Sequence, residues 1–543
     1  MVTNKKLMSG FLLWLGIFFA FSGCGKPASE PPPPGKEKWP VVIIGAGAGG
    51  LSAGATLTKA GIKTLILEQQ DKPGGYMTGF NRGDFRFEVS LHMMDGLDEG
   101  GMTRDLFQKL GILDRVKLIK FDPLYRSIYP DLTIDVPADI NAYQKLLIEK
   151  FPQESKGIVE LFRALSDIGQ DIEELSRLQE KPLFFRLLGF PMVPFRNWDF
   201  VRNFNLTLDK FMNRYIQDKK AKAVILELAT FMGIPPSRTP AVIVAALFAS
   251  YYRKGGYQFE GGSQAVSNAL AQVIREKGGE VRLNTRVVKI LIKNGKAVGV
   301  RTGLGEEIYA DYVISNADGY STYLKLVGEE HLKPEFVKYV KSLVPGASTT
   351  VVFLGLNQDL QKLGLGGIAE VFYNPSYEIE DLWKNIQTMN IENSLMTVSL
   401  YSNSDPTSAP PGKSVVTITI GSPYDWENMW RFDQGYEAYR ALKEEVGNRI
   451  LNVAEKMMPG LRGSIEVMEI GTPLTNERYT SNYMGSIVGW AYTPEQSLLK
   501  RMKQKSPIPG LYLAGAWTFP GGGQSACLFS GHLTANMILG EIK

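Results

Sequence analysis

Apolar positions fall into runs with different periods along the chain. Val41–Ile44 is a short, continuous β-branched run, and a Gly-rich turn and an Ala-rich stretch, Leu51–Ala60, follow it. This predicts a buried strand, a tight turn and a helix, with Gly61 as the stop. Thr64–Leu67 predicts a second strand, ending in Glu68. A similar alternation returns later. Gly261-Gly262-Ser263 opens a helix over Gln264–Lys277, and Gly278-Gly279 end it. Strands are predicted at Glu280–Leu283, Thr285–Ile290, Lys296–Arg301 and Ile308–Val313. Near the end, residues 510–514 read as a strand and Gly515–Gly523 as a Gly-rich loop. A helix with Ala526, Phe529, Leu533 and Met537 on one face follows. Between these pieces, residues 121–249 predict mainly helices, with Glu160–Leu178 amphipathic. Residues 331–469 mix helices with strands such as Ser348–Leu356 and Ser414–Gly421. There is no internal repeat and no second GxGxxG.

Composition narrows the classes. A chain of 543 residues is too long for one ordinary core and suits two or more units. Lys+Arg number 60 and Asp+Glu 56, a net +4 that offers no electrostatic footprint for nucleic acid. Two cysteines, Cys24 and Cys527, exclude a disulfide framework and a four-cysteine zinc site. His92, His331 and His532 lie far apart and show no metal-ligand spacing, so no metal is expected.

The N-terminus has its own logic. Lys5 and Lys6 precede an uncharged apolar run, Leu7–Gly23, ending in Phe21-Ser22-Gly23-Cys24. A basic n-region and an apolar h-region make a signal segment. The cysteine after small residues resembles a bacterial lipobox, with Phe21 in place of the usual aliphatic residue. Residues 1–24 are therefore expected to be a lipoprotein-type signal, or alternatively an uncleaved anchor. The Pro-rich stretch 25–39 is expected to be an extended spacer. Together they imply a membrane-attached protein facing the periplasm or exterior.

The chemistry starts at Gly45-Ala-Gly47-Ala-Gly49-Gly50. With a strand before it, a helix after it and an acid ending the next strand, this is the full βαβ context of a dinucleotide site. Gly45 allows the tight turn, Gly47 lets a pyrophosphate approach the backbone, and Gly50 lets helix and strand pack closely. The helix N-terminus supplies N–H groups to the phosphates. The Glu68 carboxylate suits ribose hydroxyls and would repel a 2′-phosphate.

The glycine pair Gly74-Gly75 after the ribose acid resembles the glutathione-reductase-like FAD folds. Further residues narrow the resemblance: Phe87–His92, Gly233–Ser237, Tyr251–Tyr257, Gly261–Ser263 and the Pro520–Gly523 loop. In order along the chain, they make it similar to the phytoene desaturase-like flavoproteins, nearest the carotenoid isomerase and retinol saturase branch. The resemblance implies an α/β fold: a glutathione-reductase-like FAD-binding Rossmann domain with an inserted α+β substrate domain. The FAD part would be discontinuous, over residues 40–120, 250–330 and 470–543, with 121–249 and 331–469 forming the substrate side. It further implies FAD as cofactor, the Val287 backbone on the adenine, and Gly515, Gly521, Gly522 and Gly523 around the flavin. Two motifs depart from the pattern. Tyr76 stands where an arginine usually follows the glycine pair, which weakens an amine-oxidase reading. Glu88 and Ser90 stand where Asp and Gly are usual.

The implied activity is a desaturase, saturase or redox-dependent isomerase acting on an apolar, polyisoprenoid-, carotenoid- or retinoid-like substrate, with quinone or oxygen as electron acceptor. The alternatives are an amine-oxidase-like flavoenzyme and a non-catalytic prenyl-binding relative. A flavin needs no catalytic side chain for hydride transfer, but saturation needs a proton and desaturation loses one. His92 is the candidate for that role, the other reading being a structural histidine. Tyr257 and Trp517 either line the flavin pocket or pack. Cys527 either approaches the flavin or is a small buried cysteine. Residues 182–198, dense in aromatics with two arginines, form either a membrane-interface segment or a packed helix and loop.

Overall fold

The computed structural model describes residues 37–180 and 192–542. The signal or anchor segment 1–24, most of the linker and residues 181–191 of the aromatic segment lie outside the described residues. Among those described, no helix is long and apolar enough to cross a membrane, and no cluster of His, Cys, Asp or Glu could hold a metal ion.

Two seven-stranded sheets organise the chain. In the first, Glu280–Arg282, Thr64–Leu67, Lys38–Ile44 and Glu307–Ser315 run parallel in that order. Leu511–Leu513 also pairs in parallel with Glu307–Ser315, so the last strand returns to the sheet that Lys38–Ile44 begins. Lys296–Thr302 and Val287–Lys293 add an antiparallel hairpin. Val41–Ile44 and Thr64–Leu67 are buried throughout, as expected of strands covered on both faces. Helices Ala48–Lys59, Ser263–Glu276 and Gln524–Ile542 pack with this sheet in one apolar core. The first and last of these helices cross closely. A Cβ on Gly531 would lie 2.0 Å from the Gly49 carbonyl oxygen, and one on Gly50 would lie 2.1 Å from that of Gly45. Side chains at either position would push the elements apart.

The second sheet has the order Ile465–Gly471, Ser348–Leu356, Ser414–Ser422, Met396–Ser399, Glu370–Tyr373, Tyr125–Tyr129, Leu132–Val136. Residues 121–249 are mainly helical among those described, and this sheet's edge hairpin is the exception the sequence reading did not predict. Tyr125–Tyr129 alternates buried and half-buried residues, turns at Pro130-Asp131 and pairs back through Leu132–Val136. The period of two was present in the sequence but short. The hairpin joins both inserted stretches into one sheet through the parallel pairing of Val371 with Arg126. Above this sheet, helices Ser155–Glu180 and Ala241–Lys254 pack against each other in a separate core.

Candidate active site

One cavity of about 2760 Å3 runs between the two sheets and the helical lobe. Single-ligand sites occupy roughly 300–1,000 Å3. The space therefore accommodates a dinucleotide and a second ligand.

The dinucleotide end is built from backbone. Gly45, Gly47 and Gly49 lie on its wall, at the N-terminus of helix Ala48–Lys59. That helix has no side-chain cap and no acid in its first turn, so its N–H groups are available to an anion. Gly74 and Gly75 reach the same wall, because the Gly74 N–H donates to the Ala46 carbonyl at 2.8 Å. Gly74 has φ of +137°, and a Cβ there would lie 2.3 Å from the Met77 carbonyl oxygen, so only glycine fits. Glu68 is buried and lines the cavity. Its Oε2 accepts from the Ala46 N–H at 2.7 Å and its Oε1 from the Gln70 N–H at 2.9 Å. Burial raises the Glu68 pKa, and these hydrogen bonds oppose the rise.

Val287, Gly515, Gly522 and Gly523 also line the cavity. Gly50 does not, and serves the close packing described above. Gly521 is not on the wall either. A Cβ there would meet the Tyr492 hydroxyl at 2.6 Å, so the position packs closely against Tyr492.

The departures at Tyr76, Glu88 and Ser90 have local explanations. Glu88 is buried and caps helix Ser263–Glu276, accepting from the Ser263 N–H at 2.8 Å and the Ser263 hydroxyl at 2.6 Å. The Ser90 hydroxyl donates to the Tyr76 carbonyl at 2.8 Å. Tyr76 itself lines the cavity.

Among the aromatic candidates, Trp517 lines the cavity while Tyr257 does not. Tyr257 is buried and donates its hydroxyl to Asp98. Cys527 lines the cavity, but burial pushes its thiol up to about 12, so it is a neutral thiol rather than a nucleophile. In the aromatic segment, Met192 and Trp198 are exposed and Val193 is buried.

His92 lines the cavity beyond the glycine-rich end. Its Nδ1–H donates to Glu370 Oε1 at 2.9 Å, with Ser399 Oγ at 3.0 Å. Phe231 stacks on the imidazole, with centroids 5.5 Å apart. Desolvation alone would lower the imidazole pKa, but the Glu370 charge and hydrogen bond, with the Glu88 charge, hold it above its ordinary value.

Sequence reasoning missed three residues here. Asn316 follows the strand Glu307–Ser315. A Cβ on either Gly49 or Gly515 would come within 2.5 Å of its Oδ1, so its side chain wedges between the two glycine loops. Asp318 lines the cavity with Oδ2 buried and unpartnered, and burial raises its pKa to about 6. Glu370 sits in a strand 278 residues from His92. Only Asn316 had a signal, its position just after a strand of the dinucleotide sheet.

These features fit a bound dinucleotide. The glycine cradle would be filled by any Cβ, and Gln524 Oε1, on the same wall, is buried without a partner. The profile of flavin-containing amine oxidoreductases matches residues 48–539. The chain belongs to the flavin-containing amine oxidoreductase family. It is 28% identical to a chloroplastic prolycopene isomerase from Daucus carota over 93% of this chain and 81% of that protein. It is also 28% identical to an all-trans-retinol 13,14-reductase from Danio rerio, over 99% of this chain and 88% of that one. Among solved structures, an oxidoreductase from Methanosarcina mazei superposes with a TM-score of 0.61 at 19% identity, covering 93% of this chain and all of that one. The fold is thus the expected α/β FAD-binding fold, and the protein is an FAD-dependent oxidoreductase.

In this flavoenzyme, FAD supplies two-electron chemistry when bound. The glycine loops would hold its pyrophosphate, Glu68 its ribose, and Gly515, Gly522 and Gly523 its flavin end.

Proposed function

We propose that this flavoenzyme saturates, desaturates or isomerises a double bond in an apolar polyisoprenoid, of carotenoid or retinoid type. The observation that carries this reading is the arm of the cavity beyond His92. It is lined by Ile172, Leu175, Phe200, Phe204, Ile243 and Leu247, contributed by three helical segments of the inserted lobe. None of the six carries a hydrogen-bonding side chain; the lobe adds Ser176, Arg177, Asn205 and Thr230 to the same cavity, but most of its lining is apolar and suits a hydrocarbon. An ammonium group would lose its hydration there without replacement. The names of the relatives, a prolycopene isomerase and a retinol reductase, support the same class of substrate.

We place the protein on a membrane through the lipobox-like Cys24, facing the periplasm or exterior, where an apolar substrate dissolves and a quinone or oxygen reoxidises the flavin. The apolar run ahead of Cys24 and the exposed Met192 and Trp198 support this placement.

The test is expression in strains that make acyclic and cyclic carotenoids, with chromatography of the extracts. The expected result is a polyene with a changed number or geometry of double bonds. Unchanged polyenes, together with flavin reduction by amines, would overturn the reading.

A further inference from the structure

We propose that Glu370 is a positioning residue for His92, and that the pair is a built proton-transfer dyad serving the apolar arm. The proposal rests on the polyene reading above.

The first observation is the way the segment is held. Leu91, His92 and Met93 belong to neither helix nor strand. Yet their three successive carbonyls are each held by a side-chain donor from a different element. The Tyr401 hydroxyl donates to Leu91 O at 2.7 Å, Gln258 Nε2 to His92 O at 3.0 Å, and the Tyr251 hydroxyl to Met93 O at 2.9 Å. Three buried donors spent on one irregular tripeptide place the imidazole where a free loop would not.

The second observation is the partner. Glu370 is 0% exposed, and its second oxygen, Oε2, has no hydrogen-bond partner. It sits on strand Glu370–Tyr373, directly paired with Ser399 on the neighbouring strand, and both reach His92 Nδ1. A carboxylate can only accept, so Nδ1 carries a proton. A buried carboxylate is costly unless a cation faces it. Glu370 and Glu88 act on the imidazole, and the hydroxyls of Tyr251 and Tyr401 lie near Glu370, with Asp95 near Tyr251 and Glu88 near Tyr401. All are acids, so His92 is the basic group of the cluster.

The third observation is what remains free. With Nδ1 committed to Glu370, Nε2 is the nitrogen without a protein partner. The side chain is 23% exposed and lines the cavity under Phe231. The dyad therefore presents one N–H to an apolar channel. In the step it serves, the Nε2–H bond breaks and a C–H bond forms at a polyene carbon, using the π pair. The same Nε2 takes a proton back when the adjacent C–H bond breaks and the double bond re-forms. No electrons change hands in this exchange.

The test uses the FAD-loaded full chain with 15N-labelled histidine. Only three histidines are present, so the His92→Gln spectrum identifies the resonance. In Glu370→Gln the His92 titration midpoint is expected to fall by about one pH unit or more, and in Glu370→Asp to stay near wild type. In D2O, conversion of a polyene is expected to introduce deuterium at the reacting carbons. The rate should fall about tenfold or more in Glu370→Gln, about 100-fold or more in His92→Gln, and partly recover in Glu370→Asp. Flavin content should be unchanged in all three variants. An unmoved His92 midpoint in Glu370→Gln, or wild-type deuterium incorporation in His92→Gln, would overturn the dyad. A wild type that converts no polyene would overturn the substrate reading, while the titration would still decide whether Glu370 sets His92.

Discussion

The two ends of the cavity are made in opposite ways. The dinucleotide end is backbone: glycines at loop tips, the bare first turn of a helix, and one buried acid that tops a strand. The other end is side chain: an apolar wall from the helical lobe and a histidine braced across a sheet. A pyrophosphate needs close backbone approach, which only missing side chains provide. A hydrocarbon needs only shape and dryness, which many different residues supply. The first end is therefore intolerant of added atoms, and the second of added charge.

The largest effect should come from adding one carbon to the backbone end. Gly50→Ala sets a Cβ about 2 Å from the Gly45 carbonyl, and overpacking of backbone by this much costs about 3 kcal/mol or more. The expected outcome is a protein that purifies without flavin absorbance or does not fold. Retention of flavin at wild-type stoichiometry would show that this end is not set by close packing.

Glu68→Ala should be milder. It strands the Ala46 and Gln70 N–H groups and removes the ribose acceptor, a loss of about 1.5–3 kcal/mol for charged hydrogen bonds. FAD affinity, measured by titration of the apoprotein, should fall by roughly ten- to 100-fold.

At the other end, Ile243→Asp puts a carboxylate on the apolar wall. FAD affinity should be unchanged and kcat/KM for a polyene should drop by about tenfold or more. A parallel loss of flavin would mean the two ends are not separable.

The smallest effect is a pH dependence in the lobe that carries the apolar wall. Glu227 is buried, accepts from Ser127, Tyr129 and Asn374, and is raised to about 7 by burial. Its folded pKa lies above the unfolded value of about 4.3. Its contribution to stability is therefore fully present below about pH 4.3 and lost as pH rises through about 7, with a slope of at most about 1.4 kcal/mol per pH unit. Glu227→Gln should flatten that slope in thermal melts recorded across this range.

The same asymmetry explains what was legible in the sequence. Gly45, Gly47, Gly49, Gly74 and Gly75 could be placed because their chemistry is local: strand, turn and helix are contiguous, and the spacing is the function. Gly521 packs against Tyr492 and is not on the cavity wall, a distinction that a glycine-rich loop does not show in one dimension. The hairpin at Tyr125–Val136 was lost inside a helical stretch because two five-residue strands carry too little period-two signal. Glu370 and Ser399 were invisible for a different reason. Nothing in sequence spacing brings either to His92; the second sheet does so by setting two strands side by side. Glu88 was visible as a departure from a motif, but its role as a cap on helix Ser263–Glu276 required the fold.

The proposed role of the apolar arm is to define the substrate. The most direct measurement is a side-by-side reaction of the purified, FAD-loaded protein with polyenes and with primary and polyamines, following both flavin redox state and products. A carotenoid or retinoid should be converted, and amines should leave the oxidised flavin untouched. Rapid flavin reduction by an amine, with every polyene recovered unchanged, would contradict it.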